Sequence, residues 1–152
     1  MRIAIGSDHR GYQLKSKIAE LLSNKGVTID DVGTHSGDSV DYPDFGAIVA
    51  KKVSCGESER GILICGTGIG MAIVANKFPG IRASVCNDEL MAEMSRRHND
   101  LNVLCLASDV LGERRVEALV DIWLNTEFEG GRHARRVEKI AQIETNPPGC
   151  GP

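Results

Sequence analysis

At 152 residues the chain is long enough to bury one real core without staples, and its net charge of -3 argues against a general nucleic-acid binder. No apolar run approaches the ~20 residues of a membrane span, and Met1-Arg-Ile-Ala-Ile begins a strand, not a secretion leader, so a cytoplasmic protein is expected. Five cysteines, an odd number without a C-x-x-C pair, argue against both a disulfide framework and a zinc knuckle.

Arg2 onward reads as a first strand whose end presents Asp8 and His9, followed by a helix with Leu14, Ile18, Leu21 and Leu22 on one face and Gly26 as its stop. Val27 to Val32 is a second strand, placed at a sheet edge because of Asp30 and Asp31. After a polar loop, Asp41-Tyr42-Pro43 opens a helix striped by Phe45, Ile48, Val49 and Val53. Gly61 to Cys65 is a strand running into a glycine-rich turn and then a helix. Further on come a strand over 82–86, a helix over 88–97 that ends at His98-Asn99-Asp100, a strand over 102–107, and a helix over 111–124. Gly130-Gly131 breaks the chain before a basic helix over 132–144, and residues 146–152 are expected to form a flexible tail. Strands alternating with helices of this length predict an α/β fold: a doubly wound, mostly parallel five-stranded sheet with helices on both faces, in one domain over 1–145.

The stretch Cys65-Gly66-Thr67-Gly68-Ile69-Gly70 carries the strongest chemical signal. Its three glycines let backbone approach a ligand closely, and the amides opening the next helix favour a phosphate or a developing oxyanion. Its G-x-G-x-G spacing differs from a dinucleotide fingerprint, no Gly-Lys-Ser/Thr closes it as a P-loop, and Met71 stands where a cysteine phosphatase needs arginine. A tight packing turn would explain the glycines but leave Cys65 and Thr67 idle. Helix position favours the Cys65 thiolate while desolvation opposes it. Ligands of such sheets bind beyond the carboxyl ends of the strands, where Asp8, His9 and Cys65 all fall. In isolation, Asp8-His9 reads equally as a helix cap, His98 as a dipole partner, and Arg132 and Arg136, four apart on one helix face, as a solvated basic surface or a phosphate clamp.

Taken together, Asp8-His9-x-Gly, Asp41-Tyr42-Pro43, the Cys65 turn with its preceding strand, Ala75-Asn76-Lys77, Arg82-Ala, His98-Asn99-Asp100 and Glu129-Gly-Gly-Arg132-His133 resemble the type B ribose-5-phosphate isomerases over residues 2 to about 145. Their wider family also takes galactose 6-phosphate and allose 6-phosphate. The resemblance implies a metal-free, cofactor-free aldose–ketose isomerase working on a small sugar phosphate through ring opening and an enediolate. It also implies a homodimer or homotetramer whose active site is shared between subunits. By that likeness Cys65 is the base, Thr67 and the amides of Gly66, Gly68 and Gly70 stabilise the oxyanion, and His98 of a partner subunit opens the ring with Asp8 assisting. His9, Arg132 and Arg136 match phosphate contacts, Tyr42 and Asn99 sugar contacts. A branch with serine at position 65 and glutamate at 69 is set aside, since Ile69 cannot accept a proton. Many relatives carry arginine where Asp109 stands, reaching a neighbouring subunit's phosphate; here either Arg114 or Arg115 compensates, or the substrate differs from ribose 5-phosphate and is a hexose 6-phosphate or a tetrose phosphate. From a different class, a non-catalytic nucleotide- or phosphate-binding module would fit the shape but not need acid, base and anion hole together.

Overall fold

Runs of Ile, Val and Leu too short for helices build one sheet in the computed structural model, which describes residues 1–146 and Gly149; of the expected tail, the rest lies outside the described residues. The strands are β1 (Arg2–Ser7), β2 (Thr28–Asp31), β3 (Arg60–Cys65), β4 (Ala83–Val85) and β5 (Val103–Ala107), ordered β2-β1-β3-β5-β4. Every pairing is parallel. Helices α1 (Tyr12–Asn24), α2 (Tyr42–Ser54), α3 (Ile69–Ala75), α4 (Glu89–Asn99), α5 (Glu113–Asn125) and α6 (Arg132–Thr145) complete the chain. No described helix is long and apolar enough to cross a membrane.

Central parallel strands are covered on both faces and so must be apolar at successive positions, not alternate ones. Accordingly β5 is buried throughout, and β3 from Gly61 onward. Alternation then sorts the side chains between two cores. Ile3, Ile5, Ile62, Ile64, Leu104 and Leu106 pack with Ile18, Leu22, Val116, Leu119 and Trp123 of α1 and α5. Leu63, Cys65, Val103 and Cys105 pack with Val49, Val53, Met71 and Ala75 of α2 and α3. Cys65 therefore faces α2 and α3. Strand β2 is at the edge, as expected, and its aspartates are paired: Lys52 Nζ lies 2.8 Å from Asp30, and the buried Lys15 ammonium 2.6 Å from Asp31 Oδ1.

Two local devices fix the ends. Asp88 accepts the Met91 amide at 2.7 Å, capping α4. Arg60 donates to the carbonyls of Trp123 and Leu124 at 3.1 and 3.0 Å, satisfying the last turn of α5.

From β1 the chain steps outward to β2, then returns to add β3 on the other side. The topological switch point thus lies between β1 and β3, where a ligand crevice is expected at the carboxyl ends. Helices return antiparallel to the strands, so α4 ends, and α6 begins, at the amino-terminal ends of the strands. Six residues of strand put about 20 Å between the two ends.

Candidate active site

At the switch point Cys65 ends β3 with its side chain 5% exposed. Its Sγ accepts the Gly68 amide at 3.1 Å, so a backbone dipole points at the sulfur before any ligand arrives. Gly68 makes this possible: its φ of +74° is left-handed, and a Cβ there would stand 3.2 Å from the Leu106 carbonyl. Thr67, exposed, accepts the Ile69 amide on Oγ1 at 3.4 Å. The turn is anchored from the next strand, where the Ser108 amide donates to the Cys65 carbonyl at 2.9 Å and the Asp109 amide to that of Gly66 at 3.1 Å. Of the other buried cysteines, burial pushes the Cys86 thiol up to about 11 and the wholly buried Cys105 well above its ordinary value, so neither competes as a thiolate.

Asp8 follows β1 beside Cys65, because β1 and β3 pair Ser7 with Ile64 and the Asp8 amide donates to the Ile64 carbonyl at 3.2 Å. Its Oδ1 accepts the Arg10 and Gly11 amides, both at 3.0 Å, which fixes the carboxylate. His9 accepts the Val40 amide on Nδ1 at 3.3 Å, leaving Nε2 as the proton-bearing nitrogen. That bond ties the 33–40 loop to the site and leads into Tyr42, whose ring covers Gly70: a Cβ there would be 2.6 Å from it. Asp8, His9, Tyr42, Cys65, Gly66, Thr67, Gly68 and Gly70 therefore belong to the carboxyl-terminal end of the sheet.

The remaining expected residues do not join them within the chain. His98 and Asn99 close α4, and Arg132 and Arg136 lie on the first turns of α6, at the far end of the strands. There His98 stacks on His133 with ring centroids 4.1 Å apart and planes 3° from parallel. Glu129 Oε2 stands 3.9 Å from His98 Nε2 and 3.5 Å from His133 Nε2, while Arg97 holds the other carboxylate oxygen through Nε at 2.8 Å and through Nη2. Arg132 Nε donates to His133 Nε2 at 3.2 Å. The Arg97 hydrogen bond keeps Glu129 below its ordinary range, and burial, then the neighbouring His98 and Arg132, push His133 down. The donor atoms of His98, Glu129 and His133 lie within 4.8 Å of one another, yet parallel rings aim their lone pairs side by side and not at a common point, and Arg132 already occupies His133 Nε2. A cleft of about 340 Å³ lined by Asn99, Arg82, Ile81 and Ile140 adjoins this group.

Two features escaped the sequence. Asp109 is paired by Arg10, not by Arg114 or Arg115, and the Arg10 guanidinium lies over Gly66. Its signal was adjacency to Asp8-His9, which went unused. His133 and Glu129 were visible in the Glu129-Gly-Gly-Arg132-His133 run, but their spacing alone did not tie them to His98.

A thiol under an amide, a fixed carboxylate beside it and a glycine turn at a switch point form an arrangement for moving protons next to an anion, and the model describing "Ribose/Galactose Isomerase" matches residues 3–140. The class is that of the sugar isomerases. Ribose-5-phosphate isomerase B of Escherichia coli (strain K12) is 50% identical over 143 residues, covering 94% of this chain and 96% of that protein. Among solved structures, ribose-5-phosphate isomerase B of Clostridium thermocellum superposes with a TM-score of 0.95 at 55% identity, covering 97% of this chain and all of that one. The Mycoplasma genitalium enzyme, solved with bound ribulose-5-phosphate, gives 0.93 at 42% identity over 95% of this chain and 97% of that one. This chain belongs to the ribose/galactose isomerase family.

Proposed function

We propose that residues 1–145 act as a single sugar-phosphate isomerase domain interconverting D-ribose 5-phosphate and D-ribulose 5-phosphate in the cytoplasm. The observation that carries the reading is the Cys65 sulfur, buried at the switch point, 3.1 Å from the Gly68 amide and beside Asp8. The Cys65 thiolate takes the C2 proton of the open aldose, the amides of Gly66, Gly68 and Gly70 with Thr67 hold the enediolate oxygen, the O2 hydroxyl proton passes to O1, and the Cys65 thiol returns its proton to C1. Only side chains and backbone amides are called upon. His98 opens the ring, Asp8 assists, His9, Arg132 and Arg136 bind the phosphate, and Tyr42 and Asn99 contact the sugar.

Since His98, Asn99, Arg132 and Arg136 sit at the end of the sheet opposite Cys65, a second copy must supply them, in a homodimer or in a homotetramer built from such pairs. Exposed Ile69 and Ile73 on α3, beside the Cys65 turn, offer an apolar face for that copy.

Proton NMR of D-ribose 5-phosphate incubated with the protein in deuterated water tests the chemistry. Ribulose 5-phosphate should form with deuterium at the exchanging carbon, and Cys65→Ala should abolish both. Full activity in that variant removes Cys65 as the base. Asp109, neutralised by Arg10 above Gly66, favours a second reading in which the same chemistry acts on galactose 6-phosphate, allose 6-phosphate or a tetrose phosphate. A panel of these substrates, compared by kcat/KM, separates the two.

A further inference from the structure

The reacting sugar presents two problems, and only one involves Cys65. Opening a furanose breaks the C1–O4 bond, removes the proton from the anomeric hydroxyl and places a proton on O4. An imidazole can give one proton and accept the other, but only if its ring is aimed along the line between the two oxygens. Rotation about the last bond of a histidine side chain is soft, so something must hold the plane.

At His98 that something is His133. The two rings lie 4.1 Å apart and 3° from parallel, and His133, 5% exposed, is packed where it cannot turn. Two positive imidazoliums in that stack would repel, so one ring at a time carries the proton. His133 Nε2 receives the N–H of the Arg132 guanidinium at 3.2 Å, which keeps it a neutral acceptor beside a fixed positive charge. His98 is half-exposed, with the Glu129 carboxylate 3.9 Å from Nε2. The same hydrogen bond restrains Arg132 and leaves its outer nitrogens for an anion.

We propose that His133 is a positioning residue for ring opening: its buried neutral ring is the plate that sets the plane of His98, so that His98 alone of the pair exchanges the proton, and its Nε2 sets the direction of Arg132. This rests on His98 being the ring-opening group.

D-ribulose 5-phosphate supplies the discriminating measurement. Its C5 oxygen carries the phosphate, no five-membered ring can close, and the ketone is already open. Deuterium uptake at its C1 from heavy water therefore requires the enediolate step and not ring opening, whereas turnover of D-ribose 5-phosphate requires both. The ratio of D-ribose 5-phosphate turnover to D-ribulose 5-phosphate exchange is read for wild type, His98→Asn, His133→Asn and His133→Phe, each checked for folding by circular dichroism. In His133→Asn the ratio should fall by about tenfold or more. The phenyl ring of His133→Phe, which can still stack, should restore most of it, while KM rises for both substrates because Arg132 has lost its acceptor. If His98→Asn leaves the ratio at the wild-type value, the ring-opening reading itself fails. A lowered ratio in His98→Asn with an unchanged one in His133→Asn overturns the positioning role, as does a parallel loss of exchange and turnover in His133→Asn.

Discussion

Burial, together with His98 and Arg132, pushes His133 below its ordinary value of 6.5, and the consequence for stability has a definite sign. As pH falls through about 6.5 the unfolded chain takes up a proton that folded His133 resists, so the folded state loses ground on the acid side. Glu129, held below its ordinary 4.5 by Arg97, stabilises the fold above that value and surrenders its contribution as pH falls through the depressed one. Both groups make the α4–α6 junction acid-labile. Thermal midpoints recorded between pH 8 and pH 5 should decline, and those of His133→Phe should decline less once the pH is below about 6.5. Parallel curves for the two proteins would remove His133 from this account. These residues also mark where reading from sequence stopped. Cys65, Thr67 and the glycines were legible because their chemistry and spacing are local. The Arg10–Asp109 pair joins residues 99 positions apart, and His98 meets His133 across 35, through contacts that depend on which strands are neighbours.

Elements were more legible than contacts. Periodicity located all five strands and the helices between them, because a two-sided parallel sheet forces continuous apolar runs and its helices carry one apolar stripe each. Ile48, expected on the stripe of α2, is instead 43% exposed, since only part of that helix's apolar arc meets the sheet. The Cys65 turn is the element in which fold and chemistry share the same atoms. Gly68→Ala would have to hold a side chain at φ +74° with its Cβ 3.2 Å from backbone, and should cost about 1–2 kcal/mol in denaturant unfolding. Because the Gly68 amide is the one aimed at Cys65 Sγ, kcat should fall further than stability alone accounts for. A variant equally stable and equally active would mean that the left-handed turn is incidental.

At the scale of the whole molecule the sheet separates the two halves of the proposed site, Cys65 at the carboxyl ends of the strands and His98 at the amino ends, and this makes a stoichiometric test available. Cys65→Ala and His98→Asn homodimers should each be inactive on ribose 5-phosphate. Unfolded together and refolded at equal amounts, they should regain about a quarter of wild-type activity, since half of the dimers are mixed and each carries one intact site. No recovery on mixing would place both residues in a single-chain site and contradict the shared arrangement.

The insertion of β5 between β3 and β4 also orders events during synthesis. The pairing of β1 with β2 and β3 is available once residue 65 has emerged, so the Cys65 turn and Asp8 meet early. Strand β4 pairs with β5 alone, and residues 83–85 must wait for 103–107 before their backbone finds a ladder. His98, on the segment between those two strands, waits longer still, because His133 leaves the ribosome later than either strand. The Cys65 thiol is thus housed well before the histidine pair exists, and a chain truncated before residue 130 would carry a formed thiol turn with no ring against which His98 could rest.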